Sequence, residues 1–219
     1  MRILSVLFDI DGTLVDSNDQ HVAAWVTAFA DAGHPRDAAA IREQVGKGGD
    51  LLVPALIPDA DDALVTRLSD AHGQLFKDHH LDGVRPFPDA AALIRRVADG
   101  GRRVALASSA SRAELEHYID LLGIGDQVAA ATSIDDVETS KPAPDIFGVA
   151  LARVATAPDR AIVVGDAIYD MQAARTAGAG AIGLTSGFFD AGRLREAGAG
   201  ATYADVADLL ARWDTSPLA

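Results

Sequence analysis

Two aspartates two residues apart, Asp9 and Asp11, follow the apolar run Ile3-Leu4-Ser5-Val6-Leu7-Phe8 and lead at once into Gly12-Thr13. Such a run, ending in acids and a glycine, reads as a buried strand opening into a reactive turn. In extended backbone residues i and i+2 point the same way, so Asp9 and Asp11 face one small space while Ile10 turns away. Three later stretches carry matching chemistry: Ser108-Ser109, Ser140-Lys141-Pro142 and Gly165-Asp166-Ala167-Ile168-Tyr169-Asp170. Together they suit phosphoryl transfer, which needs a nucleophile in line with phosphorus, a cation, donors around the equatorial oxygens and an acid for the leaving group. Asp9 has the chemistry to attack phosphorus. Asp11 suits the acid/base, because a neighbouring carboxylate favours keeping one of the pair protonated. Magnesium prefers oxygen ligands and few of them from protein, which Asp9, a carbonyl of the first turn and Asp166 supply. Ser108, Ser109 and nearby amides would hold the phosphoryl oxygens, and Lys141 would add a point charge.

These residues need elements that bring them together. From Pro88 onward helical and strand patterns alternate: helix 89–99, strand 103–107, helix 111–122, a weaker strand 128–131, a helix bearing Phe147, Ala150, Leu151 and Val154, strand 161–164, helix 168–177 and a last strand 181–184. Ser111 and Glu114 form a capping box at the start of the second helix, and Gly123 stops it. This alternation predicts a Rossmann-like, doubly wound parallel α/β sheet, whose ligand site lies beyond the carboxyl ends of the strands. The acids, hydroxyls and lysine fall at that edge. Residues 16–84 show only helical patterns, with Val22, Trp25, Val26 and Phe29 on one stripe, a short pattern over 38–45, and Leu64, Leu68, Ala71 and Leu75 on another. They read as an α-helical insert after the first strand, so that 1–15 and 85–219 form the core. Residues 205–213 read as a closing helix and 214–219 as a frayed tail.

Length and composition fit this plan: 219 residues, about half of them apolar, suffice for one α/β domain with an insert. A formal charge of -13 speaks against nucleic-acid or anionic-membrane surfaces and favours a metal cation as partner. The absence of cysteine excludes disulfides and thiolate chemistry. The N-terminal apolar run is too short for a secretory core or a membrane span, so the expectation is a soluble, cytoplasmic protein.

The four stretches, in their order, resemble the motifs of the haloacid dehalogenase superfamily, in the branch with a helical cap inserted after the first motif. The resemblance implies Mg2+, an aspartyl-phosphate intermediate and a mobile cap over residues 16–84. Residue by residue it makes Asp9 the nucleophile, Asp11 the general acid/base whose carbonyl binds metal, Ser108 and Lys141 phosphoryl contacts and Asp166 the acidic metal ligand. Asp170 would support the metal shell through water or Lys141. Cap loops of the family reach the active site, which brings in Lys47 and Gly48 of Gly46-Lys47-Gly48-Gly49-Asp50; an ordinary interhelical turn is the plainer reading. His21 either packs on the inner face of the cap or faces substrate, as a cap histidine of the sugar-phosphate mutases does. Asp135-Asp136 reads as a solvated acidic loop and His79-His80 as surface. Dehalogenases and phosphonoacetaldehyde hydrolases lack the second aspartate, so Asp11 points to phosphate esters. The expected activity is hydrolysis of a small phosphorylated metabolite by a monomer, with a β-phosphoglucomutase-like reaction or a non-catalytic module as alternatives.

Overall fold

A computed structural model describes residues 2–219. The strand before Asp9 is β1 (Ser5–Phe8), and beyond the acidic turn lies the two-residue β2 (Val15–Asp16). Four helices follow, α1 (Asn18–Asp31), α2 (Ala38–Arg42), α3 (Gly49–Leu56) and α4 (Asp62–His79). The chain then returns through β3 (Arg85–Pro86), which pairs antiparallel with β2. Helix and strand alternate from there: α5 (Ala90–Asp99), β4 (Arg103–Ala107), α6 (Arg112–Leu122), β5 (Val128–Thr132), α7 (Asp145–Arg153), β6 (Ala161–Gly165), α8 (Ile168–Ala177), β7 (Gly180–Leu184), α9 (Ala191–Ala197), β8 (Ala201–Tyr203) and α10 (Val206–Ala211).

Six strands form one sheet in the order β5-β4-β1-β6-β7-β8, and every neighbouring pair is parallel. The chain leaves β1 for β4 and β5 on one side and crosses back to β6 on the other, so strand order reverses at β1. A crevice opens beyond the carboxyl ends at such a point. Strand parity builds the layers. Val6, Phe8, Val104, Leu106, Val164 and Leu184 face α5, α6 and α10, while Leu7, Ala105, Ala107, Val163 and Ala181 face α7, α8 and α9. The predicted capping box is present on α6, with Ser111 accepting from the Glu114 amide, and Gly123 closes the helix in the left-handed region. The helical block has its own core of Val22, Trp25, Phe29, Ile41, Leu52, Val53 and Leu68.

The structure departs from the sequence reading in several places. Asp16 belongs to a strand, and Gly49 and Asp50 start α3 rather than continuing a turn. The strand over 181–184 is not the last, because α9 and β8 follow it. The three residues of β8, between Gly200 and the bend after Tyr203, are too few to show a period. The 214–219 tail is packed rather than frayed, with Ser216 and Leu218 buried against the core. Asp136 is not a solvated acid: it accepts from the amide of Ser133 and pairs with Arg112 and Arg153, each at 2.7 Å.

Candidate active site

Asp9 continues the β1–β6 ladder by one bond, its amide donating to Val164 O at 2.9 Å, so its side chain is set at the carboxyl edge of the sheet. Lys141 reaches it from the loop before α7, with Nζ 2.6 Å from Asp9 Oδ1 and 2.8 Å from Asp170 Oδ1. The second Asp170 oxygen accepts from the Ala167 amide at 3.1 Å, within the first turn of α8. Asp170 therefore meets Lys141 directly, with both oxygens engaged. All three side chains are almost fully buried. Burial and the Asp170 charge push the Asp9 carboxyl well above its usual range, against the pull of Lys141. Burial lowers the Lys141 ammonium, but Asp170 and Asp9 outweigh it and hold the lysine above its ordinary value.

Asp166 follows β6 and is gripped from the first turn: Thr13 Oγ1 donates to its Oδ1 and Asn18 Nδ2 to its Oδ2, each at 2.9 Å. Burial and the neighbouring Asp170 push its carboxyl up to about 7. Two glycines leave it room. A Cβ on Gly12 or Gly187 would stand 2.3 or 2.0 Å from Asp166 Oδ2. Asp9, Asp166 and Asp170 bring one oxygen each within 4.8 Å of one another. One lysine against three buried carboxylates leaves a surplus of negative charge, and the donors are all hard oxygens. That set fits a divalent metal ion of the oxygen-loving kind.

Asp11 sits in different surroundings. His21 Nε2 lies 3.1 Å from Asp11 Oδ1, Ser17 Oγ donates to the same oxygen at 2.6 Å, and Ser108 Oγ approaches Oδ2 at 3.4 Å. Burial works to raise this carboxyl, yet His21 and the Ser17 bond overcome it and hold Asp11 at about 2. The expectation that sharing a space with Asp9 keeps Asp11 protonated is thus corrected: the carboxyl pushed upward is Asp9, by burial and Asp170. Behind His21 stands His72 of α4, its Nε2 3.2 Å from His21 Nδ1 and its ring stacked on Trp25 at 4.1 Å. Burial, then the charge of His21, drives His72 well below the ordinary histidine range. Its ring is neutral at pH 7, which makes it a fixed partner for His21.

A cavity of about 980 Å³ lies between this floor and the helical block, and Asp9, Asp11, His21, Lys47, Gly48, Ser109, Lys141 and Asp166 all border it. The sequence-predicted residues are therefore brought together, with Ser108 and Asp170 just behind the lining. Lys47 does not point freely into the space: its Nζ donates to Gln44 Oε1 at 2.6 Å and lies 4.7 Å from the Tyr169 ring centre. Half-burial lowers its ammonium. Ser109 Oγ is buried with no hydrogen-bond partner. Thr13, Asn18, Ser17, His72 and Gly187 carry the site without having been singled out from sequence. Thr13 had a local signal as the last residue of the first motif, and Ser17-Asn18 had one as the polar start of a helix.

The sequence profile of the haloacid dehalogenase-like hydrolases matches residues 6–184, and the chain belongs to that family. It is 30% identical over 214 residues to a phosphoglycolate phosphatase of Yersinia pseudotuberculosis, covering 95% of this chain and 92% of that protein. Against the pyrophosphatase PpaX of Bacillus cereus the identity is 26% over 181 residues, or 81% of each chain. Among solved structures, a hydrolase from Pseudomonas syringae superposes with a TM-score of 0.91 at 33% identity, covering 97% of this chain and 98% of that one. No helix among the described residues is long and apolar enough to cross a membrane.

Proposed function

We propose that the protein is a magnesium-dependent phosphatase that hydrolyses a small phosphomonoester of the sugar or glycolate phosphate class through an aspartyl phosphate on Asp9. The observation that carries this reading is the Lys141 bridge, which fixes one Asp9 oxygen and keeps that carboxylate at the cavity floor. In the first half-reaction Asp11, ionised in the resting site, takes up a proton from solvent as the anionic ester binds beside it. An Asp9 oxygen then attacks phosphorus, the ester P–O bond breaks and Asp11 gives that proton to the leaving oxygen. In the second, water attacks phosphorus, Asp11 takes its proton, and phosphate leaves with Asp9 restored. His21, in contact with Asp11 at 3.1 Å, fixes the orientation of that carboxyl. Asp9, Asp166 and the Asp11 carbonyl would hold the metal, which supplies charge neutralisation of the phosphoryl oxygens. Ser108, Ser109 and Lys141 would receive the remaining phosphoryl charge. Residues 16–84 act as the cap that excludes bulk water.

Hydrolysis of an aryl phosphate, measured with and without Mg2+, tests the assignment. Metal-dependent turnover abolished by Asp9→Asn is expected, and equal rates for wild type and variant would overturn it. Contact between His21 and Asp11 also suits phosphomutase chemistry, which would appear instead as isomerisation of β-glucose 1-phosphate stimulated by a bisphosphate.

A further inference from the structure

The start of α3 meets the loop that carries Lys141 through a pair of hydrogen bonds. Gly48 N–H donates to Ser140 Oγ at 2.9 Å, and Ser140 N–H donates to Asp50 Oδ2 at 3.0 Å. Gly48 caps the N-terminus of α3 and Asp50 lies in its first turn, where the helix dipole favours a carboxylate. Ser140 is fully buried and immediately precedes Lys141, the only cation on Asp9 and Asp170 among the described residues. The fit is close. A Cβ on Gly48 would stand 2.8 Å from Ser140 Cβ and 2.6 Å from Asp50 Oδ1, so this backbone approach requires glycine.

We propose that Asp50 and Ser140 form a clasp through which docking of the α3 N-terminus on the core positions Lys141 against Asp9. Asp50 is then a positioning residue for the nucleophile, acting through the Ser140 amide, and this rests on the assignment of Asp9 and Lys141 made above. The physical reason is the length of the lysine side chain. Four flexible carbons separate Nζ from the backbone, and its rotamer freedom is suppressed only if the backbone that launches it is held. The Asp50 carboxylate and the Gly48 amide hold the residue next to it from two directions. When α3 lifts away, the buried Ser140 amide loses its partner and Lys141 loses its fixed origin. Closure of the cavity and readiness of Asp9 thereby become one event.

Pulse labelling with acetic anhydride, read at Lys141 by mass spectrometry, tests the clasp without relying on turnover. Wild-type Lys141 is nearly inaccessible and labels slowly. In Asp50→Ala and Gly48→Ala its labelling rises roughly tenfold or more, while Asp50→Asn, which keeps an acceptor oxygen for the Ser140 amide, stays near wild type. In parallel, kcat for an aryl phosphate falls roughly 10- to 100-fold in the two disruptive variants, with KM within about twofold. Unchanged Lys141 labelling in folded Asp50→Ala would overturn the proposal. So would a raised KM with unchanged kcat, which would make Asp50 a substrate contact. Should Asp50→Ala fail to fold, Ser140→Ala removes the acceptor for the Gly48 amide alone and is read in the same way. A wild type that labels as expected but hydrolyses no phosphomonoester would remove the phosphatase reading and leave the clasp standing.

Discussion

Asn18 Nδ2 donates to Asp166 Oδ2 at 2.9 Å, tying the first residue of α1 to the acid that follows β6. The entry to the helical block and the acidic cluster therefore share a bond. Perturbing the charge of that cluster should register in stability as well as in turnover.

Lys141→Met should be the most destabilising single change at the floor. It leaves Asp9 and Asp170 buried without their cation, which costs about 3–5 kcal/mol when one partner of a buried pair is removed. Urea unfolding at pH 7.5 should show that loss. Phosphatase turnover should fall by roughly a thousandfold.

Metal binding should stabilise the chain more at high pH than at low pH. Folding raises the carboxyls of Asp9 and Asp166, the latter to about 7, so the metal-free fold retains protons that the unfolded chain has released. Their contribution is fully present below the ordinary carboxylate range and is lost as pH rises through about 7. Asp11, held at about 2, has the opposite sign and loses its contribution only as pH falls below the ordinary range. Thermal melts with and without Mg2+ should differ by roughly 5–10 °C at pH 8 and by much less at pH 5.5.

Asp9→Asn should abolish hydrolysis and yet raise the melting temperature of the metal-free protein. The amide removes one of the crowded carboxylates while Lys141 keeps Asp170. A gain of about 2–6 °C is expected by differential scanning calorimetry, together with a weaker response to Mg2+.

Gly187→Ala should weaken metal binding although Gly187 itself offers no ligand atom. Its Cβ would come within 2.0 Å of Asp166 Oδ2 and must displace that carboxylate. Displaced support around a ligand lowers metal affinity about 10- to 100-fold, which isothermal titration with Mn2+ or Mg2+ would read directly.

The acidic floor of the cavity was legible in sequence because each part lies at the end of an apolar strand or beside a proline. Asp9, Asp11 and Asp166 follow β1 and β6, and Lys141 precedes Pro142. The alternation of helix and strand after Pro88 gave helices on both faces of the sheet. What could not be read were partnerships across long stretches of chain, such as Thr13 with Asp166 or His21 with His72, because no local period marks them. The separation of Asp9 from Asp11 was hidden for the same reason: spacing put the two acids in one place, while burial beside Asp170 pushes Asp9 up and the contacts of His21 and Ser17 hold Asp11 down. Helix α3 was masked by Gly48, Gly49 and Pro54, residues that read as loop although the first two start the helix and the third is accommodated inside it.

The antiparallel pairing of Val15 with Pro86 and Asp16 with Arg85 brings the two ends of the helical block side by side. A segment whose ends emerge together can be exchanged for another without stretching the scaffold that carries it. The β2–β3 ribbon is in that sense a socket. A different helical block could be plugged into it while the acids and the lysine at the sheet edge stay where they are.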